Sequence, residues 1–150
     1  MFLTEFFGNL AVVSGLAAMM LAQLLKLLLN YAINKKWDWV LLIESGGMPS
    51  SHSAMVTAIA VSIGLWEGFD TAAFAAAFGL MVIVTYDSAN VRWQSGLHAQ
   101  KINQLLRDVF SGQPINDQLL KEVIGHTPRQ VYIGVILGIL VALAVDFLWV

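Results

Sequence analysis

From Leu10 to Ile33 the chain runs for 24 residues with only Gln23, Lys26 and Asn30 as strongly polar interruptions. At about 1.5 Å per residue, a helix of that length crosses a hydrocarbon layer of about 30 Å. Three further apolar stretches follow, at about 50–66, 71–86 and 131–150. The whole chain is 58% apolar and 12% charged, with a mean hydropathy of +0.72, whereas ordinary soluble domains are about 45–50% apolar and about 25% charged. The expectation is an all-α integral membrane bundle. It forms one domain over residues 1–150, with about four transmembrane helices and amphipathic helices on the cytoplasmic side.

Gln23, Lys26 and Asn30 are spaced by three and four, so they share one helical face that should point into protein. An ionisable residue within a span is costly and marks a function by default. The other reading of Lys26 is a stem that snorkels to the interface. Lys35-Lys36-Trp37-Asp38-Trp39 closes this span with positive charge and interfacial tryptophans.

The stretches at 50–66 and 71–86 are short and flank the acidic turn Glu67-Gly68-Phe69-Asp70. The second holds Ala72, Ala73, Ala75, Ala76, Ala77 and Gly79, and small residues allow close approach, so the pair is expected to form a tight antiparallel hairpin. Its shortness calls for extension into the flanks or shielding by other helices, including those of a second copy in a homodimer. An amphipathic helix is expected from about Val91 to Phe110 and a second from Asn116 to Ile124, with the last span at 131–150.

All eight basic residues fall in the two longer polar regions or at the end of the first span. The positive-inside rule makes those regions cytoplasmic. With a net charge of −2 and no basic run, no nucleic-acid partner is expected. The absence of cysteine excludes disulfides and thiol nucleophiles. The first 25 residues contain no Lys or Arg, so no cleavable leader is expected.

Three polar clusters gather on the basic side. The first, Glu44-Ser45-Gly46-Gly47-Met48-Pro49-Ser50-Ser51-His52-Ser53, pairs glycines that accept φ > 0 with a proline and serines able to start a helix. First-turn amides and the positive end of the helix dipole suit a phosphate oxyanion, and His52 could move a proton near pH 7. The plainer reading is a glycine turn with a capping serine. The second cluster holds Asp87, Arg92, His98 and Asn103. Arg92 offers a planar fork for phosphate, and a bend at Gly96 could turn His98 toward it. Alternatively, Asp87 and Arg92 form a structural ion pair. The third holds Glu122, His126 and Arg129, in which Glu122 and His126 are either a helix-end contact or a pair of metal ligands. No ligand motif of fixed spacing is present, so neither a metal nor another cofactor is expected.

These residues, together with Tyr86-Asp87, Val91-Arg92, Gly96 and Gly125-His126-Thr127-Pro128, resemble the divergent branch of the type-2 phosphatidic acid phosphatase family, related to acid phosphatases and vanadium-dependent haloperoxidases. The resemblance covers nearly the whole chain in order. It implies that Ser50 and the Ser51 amide bind phosphate, with Gly47, Lys26 and Arg129 nearby. His52 would protonate the leaving alcohol, Arg92 would clamp, and His98, oriented by Asp87 or Asn103, would attack phosphorus. Glu44, Glu122, His126 and Asn103 complete the polar pocket. Three positions depart from the parent pattern: Ser51 replaces a glycine, the parent's Lys and Arg-Pro motif is missing, and Ile102 replaces the carboxylate four residues after the nucleophile.

The implied function is hydrolysis of a phosphomonoester on a membrane lipid such as phosphatidic acid, phosphatidylglycerol phosphate or an isoprenoid phosphate. The alternative is a lipid-phosphate binding or transport protein without turnover.

Overall fold

The computed structural model describes residues 2–42, 47–109 and 127–149, and among these every long element is an α-helix. A short α1 (Phe2–Gly8) precedes α2 (Leu10–Asn34). Asn9 separates them as a cap, its Oδ1 accepting the Val12 amide at 3.2 Å. One 3₁₀ turn (Trp39–Leu42) follows, then α3 (Ser51–Glu67), α4 (Ala72–Ala89), α5 (Val91–Val109) and α6 (Pro128–Trp149).

The bundle is built around α3, which packs against α2, α4 and α6. Its buried side chains are all small or hydroxylic, among them Ser51, Ser53, Ala54, Thr57 and Ala58. The apolar core joins Ala54 and Ala58 to Ala18 and Ala22 of α2 and to Val141 and Ala142 of α6. Side chains of this size bring helix backbones close together, which is how helices associate where lipid is as apolar as protein. On α6 the approach is closest at Gly134 and Gly138, four residues apart. A Cβ at Gly138 would collide with the Ala54 carbonyl and stand 2.8 Å from the Thr57 Cβ; one at Gly134 would stand 3.2 Å from the Cβ atoms of Ser50 and Ser53.

α4 does pair with α3, yet within α4 only Ser88 is buried, and Ala72, Ala73, Ala75 and Ala76 are exposed. Alanine density does not choose a partner, because an alanine face is equally stable against lipid. Complementary shape chooses it, and that lies in the two glycines of α6.

Three helical runs are long and apolar enough to cross a membrane: α2, the run 72–107 formed by α4 and most of α5, and α6. The fourth expected span, α3, has 17 residues, about 25 Å, and is sheltered by its three neighbours. The α-helical bonding passes through Asn90, whose amide donates to the Tyr86 carbonyl at 3.0 Å and whose carbonyl accepts from Gln94 at 2.9 Å. α5 continues as helix through Gly96. Among the described elements α5 packs only on α4. The amphipathic helix expected from Asn116 to Ile124 lies outside the described residues.

Candidate active site at the start of the central helix

The helix starts among the serines, as the sequence suggests; Pro49 lies one residue before the cap, buried, after a cis peptide bond with Met48. Ser50 is the cap, extended at φ −70° and ψ 113°, with its Oγ accepting the Ser53 amide at 3.4 Å and lying 2.9 Å from the Ser53 Oγ. The first turn is therefore Ser51, His52 and Ser53, whose amides lie out of reach of the helix's own carbonyls. Before it, Gly47 takes φ 76°, a conformation that a side chain resists.

Lys26 is the residue that gives this end of the bundle its chemistry. It is only 3% exposed, and its Nζ donates to the Ser51 Oγ at 3.4 Å. Its stem passes Gly47, where a Cβ would stand 3.7 Å from the lysine Cδ. An ammonium group comes from the interior of α2 to the positive end of α3, so two sources of positive potential meet with no described carboxylate bonded to the lysine. The snorkelling reading of Lys26 does not fit this burial. The two other polar residues on its face fasten the chain beyond α2. Gln23 Nε2 donates to the Leu42 carbonyl at 2.9 Å, and Asn30 Nδ2 donates to the Lys36 carbonyl at 3.1 Å.

The start of α6 holds the cradle in place, a role the sequence reading missed. Thr127 and Gln130 cap each other: the Thr127 amide donates to Gln130 Oε1 at 2.9 Å and the Gln130 amide to Thr127 Oγ1 at 3.4 Å. Pro128 occupies the first helical position, where its missing N–H costs nothing. The Gln130 carbonyl accepts the Ser50 amide at 3.1 Å, linking this cap directly to that of α3. The sequence signal for it is the spacing Thr127-x-x-Gln130 after Gly125, the pattern of a reciprocal cap.

A cavity of about 260 Å³ opens beside these groups, lined by Lys26, Asn30, Gly47, Met48 and Gln130 together with Leu29, Ile33, Asn34 and Leu41. The structure brings Lys26, Gly47, Ser50 and Ser51 together here. His52 is exposed on the first turn of α3. Arg129 is exposed on the first turn of α6, and Asp87 is half-buried near the end of α4. His98 is exposed on α5, while Asn103 of the same helix is 1% exposed. Gly96, Ala99 and Asn103 lie on the less exposed face of α5. Glu44, Glu122 and His126 lie outside the described residues.

A buried ammonium, a helix start and a positive-φ glycine turn come together here, an arrangement whose positive potential is chemically suited to an anion. A family model described as the divergent PAP2 family matches residues 7–141. The chain belongs to that family. It is 34% identical over 154 residues to the uncharacterized membrane protein YuiD of Bacillus subtilis (strain 168), an alignment covering 95% of this chain and 98% of the relative. No solved structure matches it significantly. This family member is an integral membrane protein.

Proposed function

We propose that this divergent PAP2 protein hydrolyses a phosphomonoester carried by a membrane lipid, with the phosphate received between Lys26 and the first turn of α3. The observation that carries this reading is the Lys26 ammonium, buried within a spanning helix and directed to Ser51. Charge on a transferring phosphoryl group is neutralised by fixed cations and amides, and Lys26 with the α3 amides supplies both in a site largely shielded from water. His52 would give its proton to the leaving alkoxide and His98 would attack phosphorus, with Arg92 as the clamp. The lipid anchor would hold the substrate at this end of the bundle, which the distribution of basic residues assigns to the cytoplasmic side.

The test is phosphate release by the purified protein in detergent from several lipid phosphates, with and without chelator, beside His52→Ala and Arg92→Ala. Release that survives chelator and is abolished by both substitutions supports hydrolysis. A second reading, binding without turnover, is favoured by Ile102 at the position where an orienting carboxylate would stand. Tight binding of lipid phosphates without release would establish it instead.

A further inference from the structure

At the end of the bundle opposite Lys26, a cleft of about 330 Å³ opens where α3 finishes beside the start of α2. Its wall includes Asn9, Leu10, Trp66, Glu67 and Trp149. That volume falls within the roughly 300–1,000 Å³ of small-molecule sites. Three features of the wall carry the same sign. Glu67 is the last residue of α3, where the helix's unpaired carbonyls already gather negative potential, and no described residue pairs with its exposed carboxylate. Trp66 is 49% exposed and Trp149 52%, and neither takes part in a ring contact among the described residues. An indole face is the negative side of the ring's quadrupole and attracts an ammonium group within about 6 Å. Finally, no cation competes. Lys26 is the first basic residue of the chain, and none lies between Lys36 and Arg92 or after Arg129, so this end carries Glu5, Glu67, Asp70 and Asp146 without a Lys or Arg.

We infer that this cleft binds an organic ammonium group, seated among Trp66, Glu67 and Trp149. The α2 side begins where α3 ends and has potential of the opposite sign, which confines the cation to the α3 and α6 side. A bare metal ion would need several oxygen ligands, whereas Glu67 supplies one carboxylate and the Asn9 Oδ1 is engaged by the Val12 amide. An alkylated ammonium uses the indoles as well as the carboxylate. The group can belong to a lipid headgroup or to a free amine, and the chemistry of recognition is the same. This site lies the length of α3, about 25 Å, from the phosphate site proposed above and stands independently of it.

The test is NMR of the indole N–H signals of the full chain in a maltoside detergent, which itself has no ammonium group. Trp66→Phe and Trp149→Phe assign the two signals. Tetramethylammonium chloride is titrated against sodium chloride at equal ionic strength. The expected result is a saturable shift of both signals with tetramethylammonium and none with sodium. Trp37 is the internal control: it shares a cleft with Asp38 but also with Lys36, so its signal should not move. Glu67→Gln and Trp149→Leu each weaken binding about twofold to fivefold, and together about tenfold. Both positions are exposed, so the Tm should hold, and Trp66→Leu replaces either variant that lowers it. Phosphatidylglycerol nanodiscs then separate the sources. A shift on adding phosphatidylcholine assigns the site to a lipid headgroup, a shift with soluble tetramethylammonium alone assigns it to a free amine, and either upholds an ammonium site. Absence of a saturable shift, an equal shift with sodium or at Trp37, or unchanged affinity in both variants would overturn it. None of these outcomes bears on phosphate binding or release at the other end of α3.

Discussion

Replacing Lys26 with methionine separates the cost of the buried ammonium from its use, because the two predict changes of opposite sign. Its described hydrogen-bond partner is a neutral hydroxyl at 3.4 Å, long for a charge-assisted bond, so that bond offsets little of the desolvation of the charge. Methionine keeps most of the stem beside Gly47 and removes the charge. Lys26→Met is therefore expected to leave the unfolding free energy unchanged or raise it by about 1–3 kcal/mol, a gain of several degrees in Tm. Phosphate binding moves the other way. Losing a hydrogen bond from a charged donor costs about 1.5–3 kcal/mol, or about 10- to 150-fold in Kd. Thermal unfolding in detergent, with and without millimolar phosphate, reads both quantities: phosphate should raise the Tm of the native chain and leave that of the variant unmoved. A variant that is less stable yet binds phosphate as before would refute the reasoning, since Lys26 would then be a structural donor to Ser51 and nothing more.

The closeness of α3 and α6 predicts that Gly138→Val costs at least about 1–3 kcal/mol in thermal unfolding, because its Cβ meets the Ala54 carbonyl, which cannot rotate away. Gly79→Ala is the control: a Cβ there meets nothing within 4 Å, and helix propensity should leave the protein unchanged or stabilise it by about 0.5–1 kcal/mol. Thr127→Val should cost about 1 kcal/mol through loss of the reciprocal cap. By loosening the Gln130 carbonyl it should also speed hydrogen exchange at the Ser50 amide, which a purely local effect on α6 would leave unchanged. Ser50→Ala should cost about 0.5–2 kcal/mol by exposing the Ser53 amide, measured by the same unfolding assay.

The long helices were legible because lipid imposes simple rules on length and polarity, and the bounds of α2 and α6 lie close to the apolar runs that suggested them. Lys26 stood out as well, since a lysine aligned with Gln23 and Asn30 inside a span has few explanations. Helix partners were less legible. Alanines in α4 and glycines in α6 carry the same signal of smallness, and only the shapes of the surfaces they meet distinguish them. Whether Gly96 turns His98 toward Arg92 was not legible either. A glycine permits a bend without requiring one, and here the helical bonding continues. Ser50 as cap could be narrowed to two candidates, but its link to Gln130 joins residues 80 positions apart, and no local pattern encodes that distance.

The aromatic rings beyond α2 have a mechanical consequence. Tyr31 and Trp37 stack at 4.5 Å and Trp37 and Trp39 at 5.9 Å, all three exposed. Such rings settle at the boundary between water and lipid, where they act as a float. Lys26 hangs five residues inward of Tyr31, about 7.5 Å along the helix, like a weight on a line of fixed length. The altitude of the ammonium is thus referenced to the nearby surface and not to the midplane, so it keeps its level relative to lipid phosphates when the bilayer thickens or thins.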